Sequence, residues 1–165
     1  MNAKLIKRIL IAGLALVGLV SVEAFAQVGP NATVTVSATV NASCRFQTLT
    51  GSMTLANTGS VIDPALGTDA TGNTTLTYRC TNGSLPEFDI DGSGTHADPK
   101  TRTVTLTGAG NLDASITVTG GGAGLGMGAA GNRTATVAGT ITAANIDNAT
   151  PGSYSKDVVI NILAQ

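Results

Sequence analysis

The sequence predicts an all-β protein, built as a β-sandwich or barrel, and three observations support this. Aromatic residues make up 3% of the chain and Trp is absent, whereas Thr, Val, Gly and Asn are abundant. Thr and Val favour strands, and Gly and Asn favour turns. Short segments of alternating apolar and polar residues recur between turn residues. Beyond the first 26 residues no segment keeps a helical period, so we expect helix only as a turn near residues 63–66.

The first 26 residues have the features of a cleaved export signal. Three basic residues within the first eight precede an apolar run over residues 9–22, and Ala24 and Ala26 occupy the positions that a signal peptidase reads. A membrane-spanning helix needs about 20 apolar residues, so this shorter run makes an uncleaved anchor the weaker alternative. Cleavage after Ala26 leaves 139 of the 165 residues, enough for a single domain with its own core.

The exported part of the chain is mildly acidic. Removing the leader takes away three basic residues and Glu23, which changes the formal net charge from −1 to −3. Proteins that bind nucleic acid instead carry clustered Lys and Arg. The composition therefore argues against a nucleic-acid partner, and we expect no membrane span after leader cleavage.

Five segments show the period-2 alternation of half-buried strands. In the first four, the apolar residues share one face and Thr or Ser dominates the other. The predicted core-facing residues of these four segments are Leu76, Tyr78, Cys80, Val104, Leu106, Ala114, Ile116, Val118, Ala135, Val137 and Ile141. The fifth segment is predicted as the final strand, with one face formed by Tyr154, Val158, Ile160 and Ile162.

Both cysteines, Cys44 and Cys80, lie in the exported part. An even number of cysteines in an oxidising compartment indicates a disulfide. A metal site is the alternative, but the chain has no second cysteine pair and His96 is its only histidine. We therefore predict a Cys44–Cys80 disulfide, and neither a metal nor a cofactor.

The most informative segment is residues 32–46, in which every odd position is polar. The even positions are apolar or small: Ala32, Val34, Val36, Ala38, Val40, Ala42, Cys44 and Phe46. At about 3.3 Å per residue this strand would be about 50 Å long, whereas a domain of this size is about 35–40 Å across. Either the strand bends and crosses from one sheet to another, or its first half leaves the domain and completes a neighbouring subunit.

Three motifs resemble one protein family. Residues 32–40, Ala-Thr-Val-Thr-Val-Ser-Ala-Thr-Val, followed closely by Ala-Ser-Cys44, are similar to the N-terminus of spore coat protein U-type domains, the pilins of archaic chaperone–usher pili. Leu-Thr-Tyr-Arg-Cys80-Thr-Asn-Gly resembles that family's strand-end motif, and Gly152-Ser-Tyr-Ser-Lys-Asp157 its Gly-x-Tyr-x-x-Asp lead into the final strand. Residues 109–130 depart from the family, which has an aromatic-rich segment there. An alternative-type fimbrial family shares the termini but generally lacks the cysteine pair, and ranks second.

The resemblance implies an incomplete immunoglobulin-like β-sandwich that lacks its last strand. Residues 27–40 are then a donor-strand extension, with Ala32, Val34, Val36, Ala38 and Val40 as its inserted face, and residues 41–165 are a single pilin domain. The implied partners are identical or related pilin subunits, a periplasmic chaperone and an outer-membrane usher. The implied route runs through the periplasm to the cell surface or the medium, where a pilus supports adhesion or biofilm formation.

We expect that the chain is not an enzyme. His96 lies in a polar loop with nothing to position it, whereas a hydrolase needs a nucleophile beside a histidine and an acid. The glycine-rich residues 120–131 lack the Lys-Ser/Thr of a phosphate-binding loop and are predicted to be a flexible hairpin loop or bulge. Asp89 and Asp91 lack the further carboxylates of a calcium loop and are predicted to be solvated at a strand end. The alternative function is a monomeric secreted β-sandwich that binds a surface or ligand through its loops.

Overall fold

The computed structural model describes residues 32–165. The predicted signal peptide, residues 1–26, and the first residues of the predicted extension, 27–31, lie outside the described residues. Contacts divide the chain into two units, Met1–Ala38 and Thr39–Gln165. The described part of the first unit, residues 32–38, forms neither helix nor strand.

The second unit is all-β, as the sequence predicts. Its strands are β1 (Cys44–Phe46), β2 (Ala70–Cys80), β3 (Pro86–Ile90), β4 (Lys100–Gly108), β5 (Asn111–Thr119), β6 (Arg133–Ile141), β7 (Tyr154–Ser155) and β8 (Ile160–Ala164). Six strands form one antiparallel sheet in the order β1-β2-β6-β5-β4-β7, and β3 and β8 form a second, two-stranded sheet.

The core lies on the face of the six-stranded sheet that the alternation predicts. All the predicted core-facing residues of β2, β4, β5 and β6 are buried except Leu106, which is half-buried. Phe88 of β3 is fully buried, and its ring packs against those of Tyr78 and Phe46 at centroid distances of 6.0 and 6.3 Å. These aromatic contacts join β3 of the small sheet to β2 and β1 of the large one.

Helix is confined to short turns. A 3₁₀ turn at Pro64–Leu66 confirms the predicted position, and the Asp63 carboxylate accepts the Ala65 N–H at 2.9 Å. One α-helix, α1 (Ala143–Asp147), was not expected. It spans five residues, too few for a helical period to appear in the sequence.

Of the alternating residues 32–46, only Cys44–Phe46 form strand in this chain. The partner strand, β2, explains why β1 begins at Cys44. β1 runs antiparallel to the end of β2, and the Ser43 carbonyl accepts the Thr81 N–H at 2.9 Å. Beyond Thr81 the chain turns away through Gly83, whose φ is +80°. Residues before Ser43 therefore have no continuation of β2 to pair with.

The predicted final strand is also split in two. Tyr154 and Ser155 pair with β4 of the large sheet, whereas Ile160–Ala164 pair with β3 of the small one. The chain passes between the two sheets through residues 156–159. Tyr154, Val158, Ile160 and Ile162 nevertheless all pack against the core.

The glycine-rich residues 120–131 connect β5 to β6 and are packed against β2. The Tyr78 hydroxyl accepts the Gly121 N–H and donates to the Gly122 carbonyl, both at 3.0 Å. Burial raises the pKa of Tyr78, although the hydrogen bond from Gly121 acts the other way. A Cβ added at Gly124 would lie 2.6 Å from Cys80 Cβ and closer still to the Thr81 carbonyl oxygen. Glycine therefore serves here for close approach to the disulfide-bonded end of β2.

Two glycines of this loop give opposite predictions for alanine substitution. Gly124→Ala is expected to destabilise the fold by about 1–3 kcal/mol, because backbone must shift to admit the new methyl group. Gly128→Ala is the control, since a Cβ added there would have no atom within 4 Å and the φ of −72° suits alanine. Urea unfolding of both variants measures the difference. Equal stability would show that the loop does not pack on Cys80.

Candidate functional site

A groove of about 1000 Å³ opens over the inner face of the six-stranded sheet. Its base consists of apolar side chains from the four long strands. These are Leu76 of β2, Leu106 of β4, Leu112 and Ile116 of β5, and Val137 and Ile141 of β6. Leu106 is half-buried and the other five are buried, so the base of the groove is the margin of the core.

One side of the groove is the irregular chain between β1 and β2, here called the 46–62 segment. It follows β2, with the N–H groups of Gln47 and Thr48 donating to the Thr77 carbonyl at 2.7 and 3.2 Å. Met53 and Leu55 reach over β6, because a Cβ at Gly139 would lie only 2.8 Å from Met53 Cε and 2.7 Å from Leu55 Cδ2. The missing side chain of Gly139 makes room for both residues, which cover part of the base.

The other side is the 152–160 segment, which includes β7, the crossing residues 156–159 and the start of β8. Tyr154, Val158 and Ile160, predicted to share the inner face of the final strand, all line the groove. Ile162, the fourth residue of that face, packs against the core further along β8. The structure therefore brings three of the four predicted final-strand residues together at this site.

β8 borders the groove and has one unpaired edge. Leu85 and Gln165 exchange both main-chain hydrogen bonds, at 3.2 and 2.9 Å. Because bonding alternates along an antiparallel ladder, the N–H and C=O groups of Ile160, Ile162 and Ala164 point away from β3. Among residues 32–165, no strand pairs with β8 on that side. This free edge can accept another strand.

The predicted donor residues are all exposed. Val34, Val36 and Val40 are 80, 88 and 81% exposed, and Ala32 and Ala38 are exposed as well. Leaving three valines at even-numbered positions exposed to solvent is energetically unfavourable, because burying a valine side chain contributes about 1.5–3 kcal/mol. The segment thus carries apolar surface available for a partner.

The disulfide between Cys44 and Cys80 is present, as predicted, and joins residues that face each other across β1 and β2. Cys80 is fully buried. The bond fixes Cys44 at the start of β1, two residues before Phe46, which lines the groove. It therefore anchors the point where residues 32–43 lead into the sheet.

Asp91 holds the crossing residues of the 152–160 segment. Its carboxylate accepts the Val159 N–H at 2.9 Å and lies 3.1 Å from Lys156 Nζ. Burial alone would raise the pKa of Asp91, but the Val159 N–H, Lys156 and the charge of Arg102 outweigh it and hold this pKa below its usual range. Asp91 is therefore charged at neutral pH.

The prediction that Asp89 is solvated is wrong, because this side chain is only 3% exposed. The Ser93 hydroxyl donates to its carboxylate, as does the Ser93 N–H at 2.9 Å. The pKa of Asp89 is lowered, with the Ser93 hydroxyl as the largest cause. Within the described chain no group of three or more His, Cys, Asp or Glu residues could hold a metal ion.

Sequence reasoning missed the groove and the role of Asp91. The groove depends on which segments fail to cover the inner face, and alternation gives no information on this. Asp91-Gly92 is a turn signal, but the pattern does not show that its carboxylate reaches a segment 68 positions later. Comparison with protein families, with curated proteins and with solved structures found no match for this chain. Over residues 32–165, no helix is long and apolar enough to cross a membrane.

Proposed function

We propose that this chain is the structural subunit of a chaperone–usher-type surface pilus that polymerises by donor-strand complementation. The pilin domain is then an incomplete immunoglobulin-like β-sandwich. Residues 32–40 of one subunit fill the groove of the next, and the filament supports adhesion or biofilm formation. A periplasmic chaperone covers the groove before assembly and an outer-membrane usher exchanges it for the extension.

The observation that carries the proposal is the apolar groove beside the free edge of β8, in a chain with an exposed apolar stripe. An incoming strand can form main-chain hydrogen bonds with Ile160, Ile162 and Ala164 while its alternate side chains enter the groove. Val34, Val36 and Val40 have the parity that this requires. Each contributes about 1.5–3 kcal/mol on burial, before the cost of ordering the extension.

The exposed groove also supports the need for a chaperone. Leu49 and Val61 line the groove and are 87 and 61% exposed, and an open strand edge next to apolar surface promotes aggregation. A subunit exported in this form has to be covered until it is polymerised.

The test is whether the purified mature protein forms ladders that resist SDS and vanish on boiling. We expect such ladders, with their formation increasing with protein concentration, because each link joins two subunits. Deleting residues 27–40 should leave a subunit that folds when a peptide of residues 32–43 is supplied but cannot extend a chain. A protein that stays monomeric at all concentrations, and that loses its fold on deletion, would favour the loop-binding monomer. A protein that stays monomeric at all concentrations, but whose deletion variant folds once the peptide is supplied, would indicate that the extension fills its own groove.

A further inference from the structure

We propose that Asp91 is a positioning residue for this groove, which holds residues 156–159 so that the free edge of β8 is presented in register to the incoming strand. This inference rests on the proposed function. Asp91 itself does not line the groove, whereas Lys156, Asp157 and Val158 do. Its effect on strand binding therefore acts through the segment that it holds.

The hydrogen bonds at Asp91 extend the β3–β8 ladder by one position through a side chain. The Asp91 N–H donates to the Val159 carbonyl at 2.7 Å, as in a regular antiparallel pair. The return bond from the Val159 N–H goes to Asp91 Oδ1 at 2.9 Å, in place of the main-chain carbonyl. That carbonyl accepts instead from Arg102 Nη1 at 2.9 Å. The carboxylate thus replaces a main-chain acceptor at the point where the chain enters β8.

The backbone of Asp91 explains why its carbonyl is unavailable to Val159. Its φ is +51°, and it is the one non-glycine residue with a positive φ among residues 32–165. Asp and Asn adopt this left-handed conformation more readily than other residues. The position therefore combines a backbone bend that ends β3 with a carboxylate that keeps β8 attached beyond the bend.

Charged groups from two elements contact Asp91. Lys156 approaches its carboxylate from the crossing residues, with Nζ 3.1 Å from Asp91 Oδ2. Arg102 of β4 donates to the main-chain carbonyls of Ile90 and Asp91. Together they connect the crossing residues, the small sheet and the large sheet at one point next to the groove.

The experiment measures the affinity of a labelled peptide of residues 32–43 for the mature chain carrying Val36→Asp, which is expected to be unable to donate its own strand. Asp91→Asn keeps the shape of the side chain and can adopt the same positive φ, but it removes the ion pair with Lys156. We expect about fivefold weaker peptide binding, because Lys156 and Asp91 are 35 and 17% exposed and partly exposed pairs are worth up to about that factor. The control is Asp113→Asn, the same exchange on the outer face of β5, which should leave affinity unchanged.

Lys156→Gln should weaken peptide binding by a similar factor, and the double variant should be no weaker than either single one. The deficit of Asp91→Asn should also shrink as pH falls through the lowered pKa of Asp91, since protonation removes the same charge from the parent. If Asp91 only stabilised the fold, neither the non-additive double variant nor the pH dependence of peptide binding would be expected. If Asp91→Asn does not fold, Lys156→Gln alone decides. Unchanged affinity in these variants would overturn this inference only, whereas a parent that never binds the peptide would overturn it together with the proposed function.

Discussion

Val36→Asp is expected to abolish ladder formation by the mature protein, whereas Thr35→Asp should reduce it only slightly. In the proposed filament Val36 enters an apolar groove, so the substitution loses about 1.5–3 kcal/mol of burial. It also brings a carboxylate into a groove whose lining cation, Lys156, is already paired with Asp91, which costs several kcal/mol more. Thr35 has the opposite parity, and its side chain faces away from the groove.

The measurement compares SDS-resistant ladders of the two variants with those of the wild type at equal concentration. Thermal unfolding of the monomers is the control for folding, and we expect no shift for Val36→Asp because Val36 is 88% exposed. Equal loss of ladders in both variants would contradict the parity on which donor-strand insertion depends. A drop in monomer stability for Val36→Asp alone would place Val36 in its own domain.

Replacing Cys44 and Cys80 together by Ser should lower the free energy of unfolding by about 3–4 kcal/mol. The bond closes a loop with a sequence separation of 36, which restricts the unfolded chain. Cys80 is fully buried, so the new hydroxyl group adds a desolvation cost at that end. The double variant should therefore accumulate poorly in an oxidising compartment.

Urea unfolding of oxidised wild type, reduced wild type and the double variant measures this effect. Reduction alone should reproduce most of the loss, because it opens the same loop without changing any other side chain. A loss below about 1 kcal/mol for both, well under the usual contribution of a disulfide, would mean that β1 holds its place without the bond.

The sequence predicted the buried faces well because period-2 alternation depends only on neighbouring residues in a strand. Leu76, Tyr78 and Cys80 of β2 and Ile116 and Val118 of β5 were all placed on the correct side. The disulfide followed equally directly from the number of cysteines and the predicted export.

The local pattern is insufficient where the outcome depends on residues outside the segment itself. Residues 32–43 alternate as regularly as any strand, yet β2 ends at Cys80 and offers them no partner. The final segment divides at residues 156–159 because β4 and β3 lie in different sheets. Asp89 is buried because Ser93 supplies its hydrogen bonds. None of these partners can be identified from the local pattern.

The pairing of β3 with β8 has a consequence for the order of folding. The Gln165 side chain donates to Glu87, 78 positions earlier, so the small sheet needs both the middle of the chain and its last residues. Contacts this far apart close slowly. In the proposed export route, the side of the groove formed by residues 152–160 cannot be completed before the C-terminus has crossed the membrane. A subunit exported N-terminus first would then present its extension before it has a finished site to receive one, so insertion of the extension into its own groove would be kinetically disfavoured.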